Sequence, residues 1–235
     1  MLASVDGALV AFGAHDAIDV DKASFAISVS GDSASFKNLR IWTRGVDVTH
    51  FRPIADAALP FPRPIWLYVG RVAVEKNLEA FLSLDLPGSK VVVGDGPQRA
   101  ELERRFPEAT FLGEKFGVDL ASQVAAADVF VFPSLTDTFG VVQLEALACG
   151  TPVAAFPVTG PLDVIANHPI GALDKDLKAA SLRALGVSRE TCRNFALERS
   201  WENSARQFIG NLAILQPGRS QRHAPVVAGS SPVRG

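Results

Sequence analysis

The sequence predicts an α/β fold, a Rossmann-like parallel sheet with helices on both faces. Residues Ala127–Ala155 read as strand, loop, helix and strand, the repeat unit of such a sheet. Three apolar runs end in glycine-bearing or polar turns: Val69-Gly70-Arg71, Val93-Gly94-Asp95-Gly96-Pro97, and Phe132-Pro133-Ser134 onward to Gly140. The chain has 235 residues, 48% of them hydrophobic, enough for one large core or two small ones.

Within the organising stretch, Val129–Phe132 is a β-branched and aromatic run. Pro133 stops it, because proline cannot donate to a sheet ladder. Val141 to Ala148 is an apolar helix carrying Glu145, closed by Gly150 and Pro152. Thr151–Phe156 reads as the next buried strand. Before this unit, residues 1–37 form no recognisable domain, although Ala8–Phe12 and Phe25–Val29 have strand character. Residues 38–64 are a crossing segment and linker: a short strand candidate, Leu39–Thr43, the turn-like Arg44–Gly45, and a surface linker over Phe51–Pro64 with prolines at 53, 60, 62 and 64.

The organised domain is expected over residues 65–214. Ile65–Gly70 is a strand. Glu75–Leu84 has helical spacing, with Leu78, Phe81 and Leu82 on one side. Lys90–Val93 is a buried strand, Pro97 suits a first helical turn, and Gln98–Arg105 continues it. Thr110–Leu112 is a short strand and Leu120–Ala127 a helix. Pro161–Ala166, Leu173–Leu185, Arg189–Arg199 and Trp201–Leu212 read as helices, the last capped by Ser200. Residues 215–235, rich in Pro, Gly, Ser and Arg, are expected to be a disordered tail.

Composition excludes several classes. The net charge is -2 and the basic residues are dispersed, so nothing points to nucleic acid. Cys149 and Cys192 are the only cysteines and suggest neither a zinc site nor a disulfide framework. Reduced cysteines and the lack of a signal-peptide pattern favour a cytoplasmic setting. No run of about 18 apolar residues marks a membrane span. His15, His50, His168 and His223 sit in poor contexts for metal or acid–base work.

In an open α/β sheet, ligands bind beyond the carboxyl ends of the strands, so the three turns should gather at one edge. Ser134 opens the last of these loops. Thr138, Phe139 and Gly140 would lie at a helix start, where free backbone N–H groups can hold phosphate oxygens. Arg71 and Lys76 could add positive charge to the same phosphates. Gly70, Gly94 and Gly96 would admit close backbone approach to a ligand. Glu145, one and a half turns into an apolar helix, needs a partner such as a vicinal diol. Asp137 could hold a second polyol. Each residue also has a plain reading, as a surface charge, a turn or a cap. Their coincidence at successive strand ends favours a sugar nucleotide.

The segment Arg40-Ile-Trp-Thr-Arg-Gly-Val-Asp-Val-Thr-His-Phe-Arg-Pro53 resembles the domain crossing of the retaining GT-B glycosyltransferases called glycosyl transferase group 1, or family 4. Tyr68-Val-Gly-Arg-Val-Ala-Val-Glu-Lys-Asn77 resembles the family's Gly-Arg…Glu-Lys-Asn loop. Val93-Gly-Asp-Gly-Pro97 resembles its Gly-x-Gly-Pro turn, and Asp137-x7-Glu145 its Glu-x7-Glu motif, with Asp where Glu is usual. The resemblance spans about Asn38–Leu212. It implies that the chain is one half of a GT-B enzyme, the donor-binding domain. It assigns Arg71 and Lys76 to the donor diphosphate, Asp137 to the donor sugar and Glu145 to the ribose. Thr136-Asp-Thr-Phe-Gly140 is similar to branches of lipid mannosyl- and sulfoquinovosyltransferases.

The resulting expectation is transfer of a hexose from a GDP- or UDP-sugar to a lipid or saccharide acceptor, with retention and no metal or other cofactor. Met1–Phe36 matches nothing in the family's amino-terminal domain, so the chain reads as a truncated product or a separated half. It would be inactive alone or pair with a separate amino-terminal-like domain, and a lipid acceptor would draw it to the inner membrane face. A nucleotide-sugar-binding module without catalysis is the main alternative. An epimerase of GT-B type would need acids from outside this stretch. A dehydrogenase is disfavoured, because no Gly-x-Gly-x-x-Gly follows the first good strand.

Overall fold

The structure, a computed structural model, describes residues 2–5, 8–12, 44–137 and 140–211. β1 (Leu2–Val5) and β2 (Ala8–Phe12) form an antiparallel pair within the segment read as irregular. The strand candidates at 25–29 and 39–43 and the tail after 211 lie outside the described residues.

The main sheet has six parallel strands: β3 (Ile65–Val69), β4 (Ser89–Val93), β5 (Thr110–Phe111), β6 (Val129–Phe132), β7 (Val153–Ala155) and β8 (Gly171–Leu173). Their spatial order is β5-β4-β3-β6-β7-β8. The chain therefore builds outward from β3 to one edge, returns beside β3 and builds to the other. The reversal falls between β3 and β6, where Trp66 pairs with Val129 and Leu67 with Phe130. Such a switch point opens a crevice beyond the strands' carboxyl ends.

Successive side chains of a strand point to opposite faces. Ile65 and Leu67 enter one core, with Val91, Val93, Phe130 and Phe132. Trp66 and Tyr68 enter the other, with Val92, Val129 and Val131. Both faces are buried, which is why the strands are nearly continuous in apolar residues. The first core is covered by α3 (Gly117–Ala126), α4 (Val141–Ala148), α5 (Thr159–Ile165) and α7 (Arg189–Glu198). The second is covered by α1 (Leu78–Leu82), α2 (Arg99–Arg105) and α6 (Leu177–Ala184). Last comes α8 (Trp201–Asn211), capped as expected by Ser200, whose Oγ accepts the Asn203 N–H at 3.1 Å.

Three expectations are corrected. Glu75–Leu84 is not one helix. A 3-10 turn over Val74–Lys76 ends at Asn77, which takes the left-handed conformation (φ 54°, ψ 38°) before α1 begins. The i, i+3, i+4 spacing of Leu78, Phe81 and Leu82 holds only for α1. Leu173 belongs to strand β8, not to the following helix, which starts at Leu177 under an Asp176 cap. Finally, the surface linker expected over Phe51–Pro64 carries no helix or strand, but with residues 44–50 it is anchored on the domain. Val46 and Phe51 are buried in the first core, and Val46 bridges to Ser200. Asp47 builds the turn between them: its Oδ1 accepts the N–H groups of Thr49 and His50 and the Thr49 hydroxyl. Those bonds, the hydroxyl's foremost, hold its carboxyl below the usual range. Arg193 locks the segment down, donating to the carbonyls of Val48, Phe51 and Ala148 at 2.8–2.9 Å.

Candidate functional site

The loops after β3, β4 and β5 lie side by side. Gly70 N donates to Val93 O, Gly94 N to Gly113 O, and Val72 N to Asp95 O, at 2.8–3.0 Å. A Cβ at Gly94 would lie 1.9 Å from the Gly70 carbonyl oxygen, on a backbone at φ 140°. The glycine is thus required by one loop packing on another, a reason distinct from the ligand approach expected of it. Asp95 accepts from Gly96 N and from Arg99, which fixes the turn entering α2.

Across the switch point, the β3 loop meets the β6 loop. Lys76 Nζ donates to Asp137 Oδ1 at 2.8 Å and Oδ2 at 2.7 Å. Both side chains are about one quarter exposed, 27% and 22%. Asn77 Nδ2 donates to Pro133 O at 3.0 Å. Ser134, expected to face a ligand, is buried instead, its Oγ directed at Glu75 O at 3.4 Å. Arg71 shares the β3 loop but is more open, 67% exposed and 3.8 Å from Glu75. Beneath the loop, the Tyr68 hydroxyl donates to Arg71 O at 2.9 Å. Burial, with Asp137 and Glu75 nearby, pushes that phenol above its ordinary range.

Gly140 is the N-cap of α4, at φ 71°. A side chain there would be strained and would meet the Phe132 ring, since a Cβ would lie 2.8 Å from its Cζ. Three residues span at most about 11 Å, so the α4 start stays close to Asp137. Thr138 and Phe139 lie outside the described residues. Glu145 is half-buried on α4, and among the described residues none hydrogen-bonds its carboxylate. Burial raises its pKa above the ordinary glutamate value, while His50 of the docked segment lowers it. An acid so placed gains from a hydroxylated ligand that supplies the missing donors.

Sequence reasoning quoted Tyr68 and Asn77 only as part of a motif, set His50 aside, and missed Arg193. Asn77 carries a usable signal, since Asn is among the few residues that visit the left-handed region. Cys149 and Cys192 are buried, which pushes both thiols up to about 12. A cleft of about 490 Å³ between Leu82, Lys90 and Phe106 lies at the amino end of β4, the opposite edge of the sheet. Among the described residues no helix is long and apolar enough to cross a membrane, and no His/Cys/Asp/Glu group has metal-site geometry.

Comparison with known proteins places this geometry. The model of the family "Glycosyl transferases group 1" matches residues 63–185, just over half of the chain. A GDP-mannose-dependent alpha-mannosyltransferase of Mycobacterium tuberculosis is 34% identical over 200 residues, covering 78% of this chain and 53% of that protein. Sulfoquinovosyl transferase SQD2 of Arabidopsis thaliana is 35% identical over 183 residues, covering 69% and 36%. Sucrose-phosphate synthase from Thermosynechococcus elongatus superposes with a TM-score of 0.63 at 30% identity, covering 73% of this chain and 51% of that one. The chain spans about half the length of the mannosyltransferases it matches. On the matched sheet, with its switch-point crevice and paired loops, the chain belongs to the glycosyl transferases group 1 family.

Proposed function

We propose that this chain binds the donor of a hexosyltransferase, a GDP- or UDP-hexose, in the crevice between β3 and β6. The observation that carries the reading is the meeting of Lys76 and Asp137 across that crevice. An ammonium has three N–H donors. Asp137 takes two of them, leaving one for a diphosphate oxygen. The Asp137 carboxylate keeps lone pairs for sugar hydroxyls. The pair would sit at the joint of a sugar diphosphate, with Arg71 and the amides of 138–140 completing the phosphate cradle. Glu145 would accept hydrogen bonds from the ribose hydroxyls.

In transfer, the bond from the anomeric carbon to the β-phosphate oxygen breaks and a bond to the acceptor oxygen forms. The acceptor proton passes to the departing phosphate on the same face, which retains configuration. Arg71, Lys76 and the α4 amides stabilise the charge growing on that phosphate. The acceptor is a lipid or a saccharide, met at the cytoplasmic face of a membrane in the first case. The GDP-mannose dependence of the mannosyltransferase relatives supports GDP-mannose as the first candidate.

Thermal unfolding with GDP-mannose, UDP-glucose and ADP-glucose tests the reading. A ligand at one hundred times its Kd adds about 2.7 kcal/mol, so one of the first two should raise Tm by several degrees. No shift with any nucleotide sugar would reject it. Binding without turnover or hydrolysis would instead identify a binding module.

A further inference from the structure

Asn77 stands at the joint of two elements. It closes the 3-10 turn, with its N–H on Val74 O at 3.0 Å, and opens α1, its carbonyl accepting Ala80 N at 3.1 Å. It is the one non-glycine residue at positive φ among the described residues. The bend turns the backbone directly after Lys76. The same residue reaches over the switch point, its amide nitrogen 3.0 Å from Pro133 O. Pro133 is buried and lies four residues before Asp137. Asn77 thus touches both loops, one residue from Lys76 on one side and four residues from Asp137 on the other. Ser134 Oγ on Glu75 O adds a longer contact beside it.

We propose that Asn77 is a positioning residue for the donor site: its left-handed backbone and its bond to Pro133 set the spacing of the β3 and β6 loops, and so hold the Lys76 ammonium on Asp137. This rests on the donor-site reading for its functional part only. A helix joint with no such role needs nothing but the backbone bend, which glycine adopts more readily than asparagine.

The test uses Asn77→Gly, which keeps the bend and removes the amide, and Asn77→Asp, which keeps the shape and replaces the donor by an acceptor. Two measurements are made on the full chain. The first is a double-mutant cycle of Lys76→Met and Asp137→Asn by urea unfolding, with and without Asn77→Gly. It needs no ligand. The coupling between Lys76 and Asp137 should fall by more than half when Asn77→Gly is present; an unchanged coupling overturns the proposal. The second is calorimetric titration with GDP and UDP. Asn77→Gly and Asn77→Asp should each weaken binding about tenfold, and Asn77→Gly should cost nothing further once Lys76→Met is present. Parent-like affinity, or the same loss in both backgrounds, overturns it. If the unmodified chain binds neither nucleotide, the donor-site reading fails, and the unfolding cycle alone still decides whether Asn77 places Lys76.

Discussion

The Lys76 ammonium lies 2.7 and 2.8 Å from the two carboxylate oxygens of Asp137, joining the loops that follow two adjacent strands at the sheet's switch point. The two residues are 61 positions apart in sequence. The pair places one cation and one anion at a common point, where a sugar diphosphate bound as proposed would offer hydroxyls on one side and phosphate oxygens on the other.

That division of labour predicts a split. Asp137→Asn removes the charge that holds Lys76 and leaves one acceptor oxygen where there were two. Affinity for GDP should fall by no more than the roughly tenfold expected of Asn77→Gly, while affinity for GDP-mannose should fall about tenfold further. Competition binding with the two ligands reads both.

Glu145 should govern stability through pH. Burial raises its pKa in the folded chain above the 4.5 of an ordinary glutamate. The folded state then binds more protons than the unfolded state between those two values, so stability falls as pH rises through that window. Below the unfolded value the penalty is absent. Glu145→Gln removes the titration, and its stability relative to the parent should improve as pH is raised from 4 to 8. Urea unfolding across that range checks the sign. Ribose-containing ligands should bind the variant more weakly.

Arg193 ties three carbonyls from two separate segments, and hydrogen bonds to a charged group are worth about 1.5–3 kcal/mol each before they overlap. Arg193→Leu should cost about 2–4 kcal/mol, seen as a lower urea midpoint. It should also expose residues 44–64 to proteolysis before the rest of the domain.

At Gly94 the conflict is steric. The 1.9 Å approach to the Gly70 oxygen leaves no room for a methyl group. Gly94→Ala should lose about 2 kcal/mol or more and weaken nucleotide binding by displacing the β3 loop. Gly117→Ala is the control, since nothing lies within 4 Å of a Cβ there, although its φ of 56° adds a smaller strain. Equal stability in the two variants would contradict the packing argument.

Much of this was legible in the sequence. β3, β6 and the Val91–Val93 part of β4 are unbroken apolar runs, each stopped by glycine or proline, and burial on both sheet faces leaves just that trace; α4 is mostly apolar and follows Gly140. The gathering of the strand-end loops was legible because parallel strands send all their carboxyl ends to one edge. β8 was not: three residues, Gly171–Leu173, are too few to show a period. The break at Asn77 was hidden because the apolar spacing of α1 continues smoothly past it. The docking of residues 44–64 depends on Arg193, about 142–145 residues away, and no local pattern reports a contact of that range.

The central claim is that Lys76 and its neighbours grip a nucleoside diphosphate at the switch point. Calorimetric titration of GDP and UDP into the parent and into Lys76→Met tests it most directly. Saturable one-site binding by the parent is predicted, weakened by about 1–3 kcal/mol in the variant, with a steeper salt dependence in the parent. Equal affinity in parent and variant would contradict it.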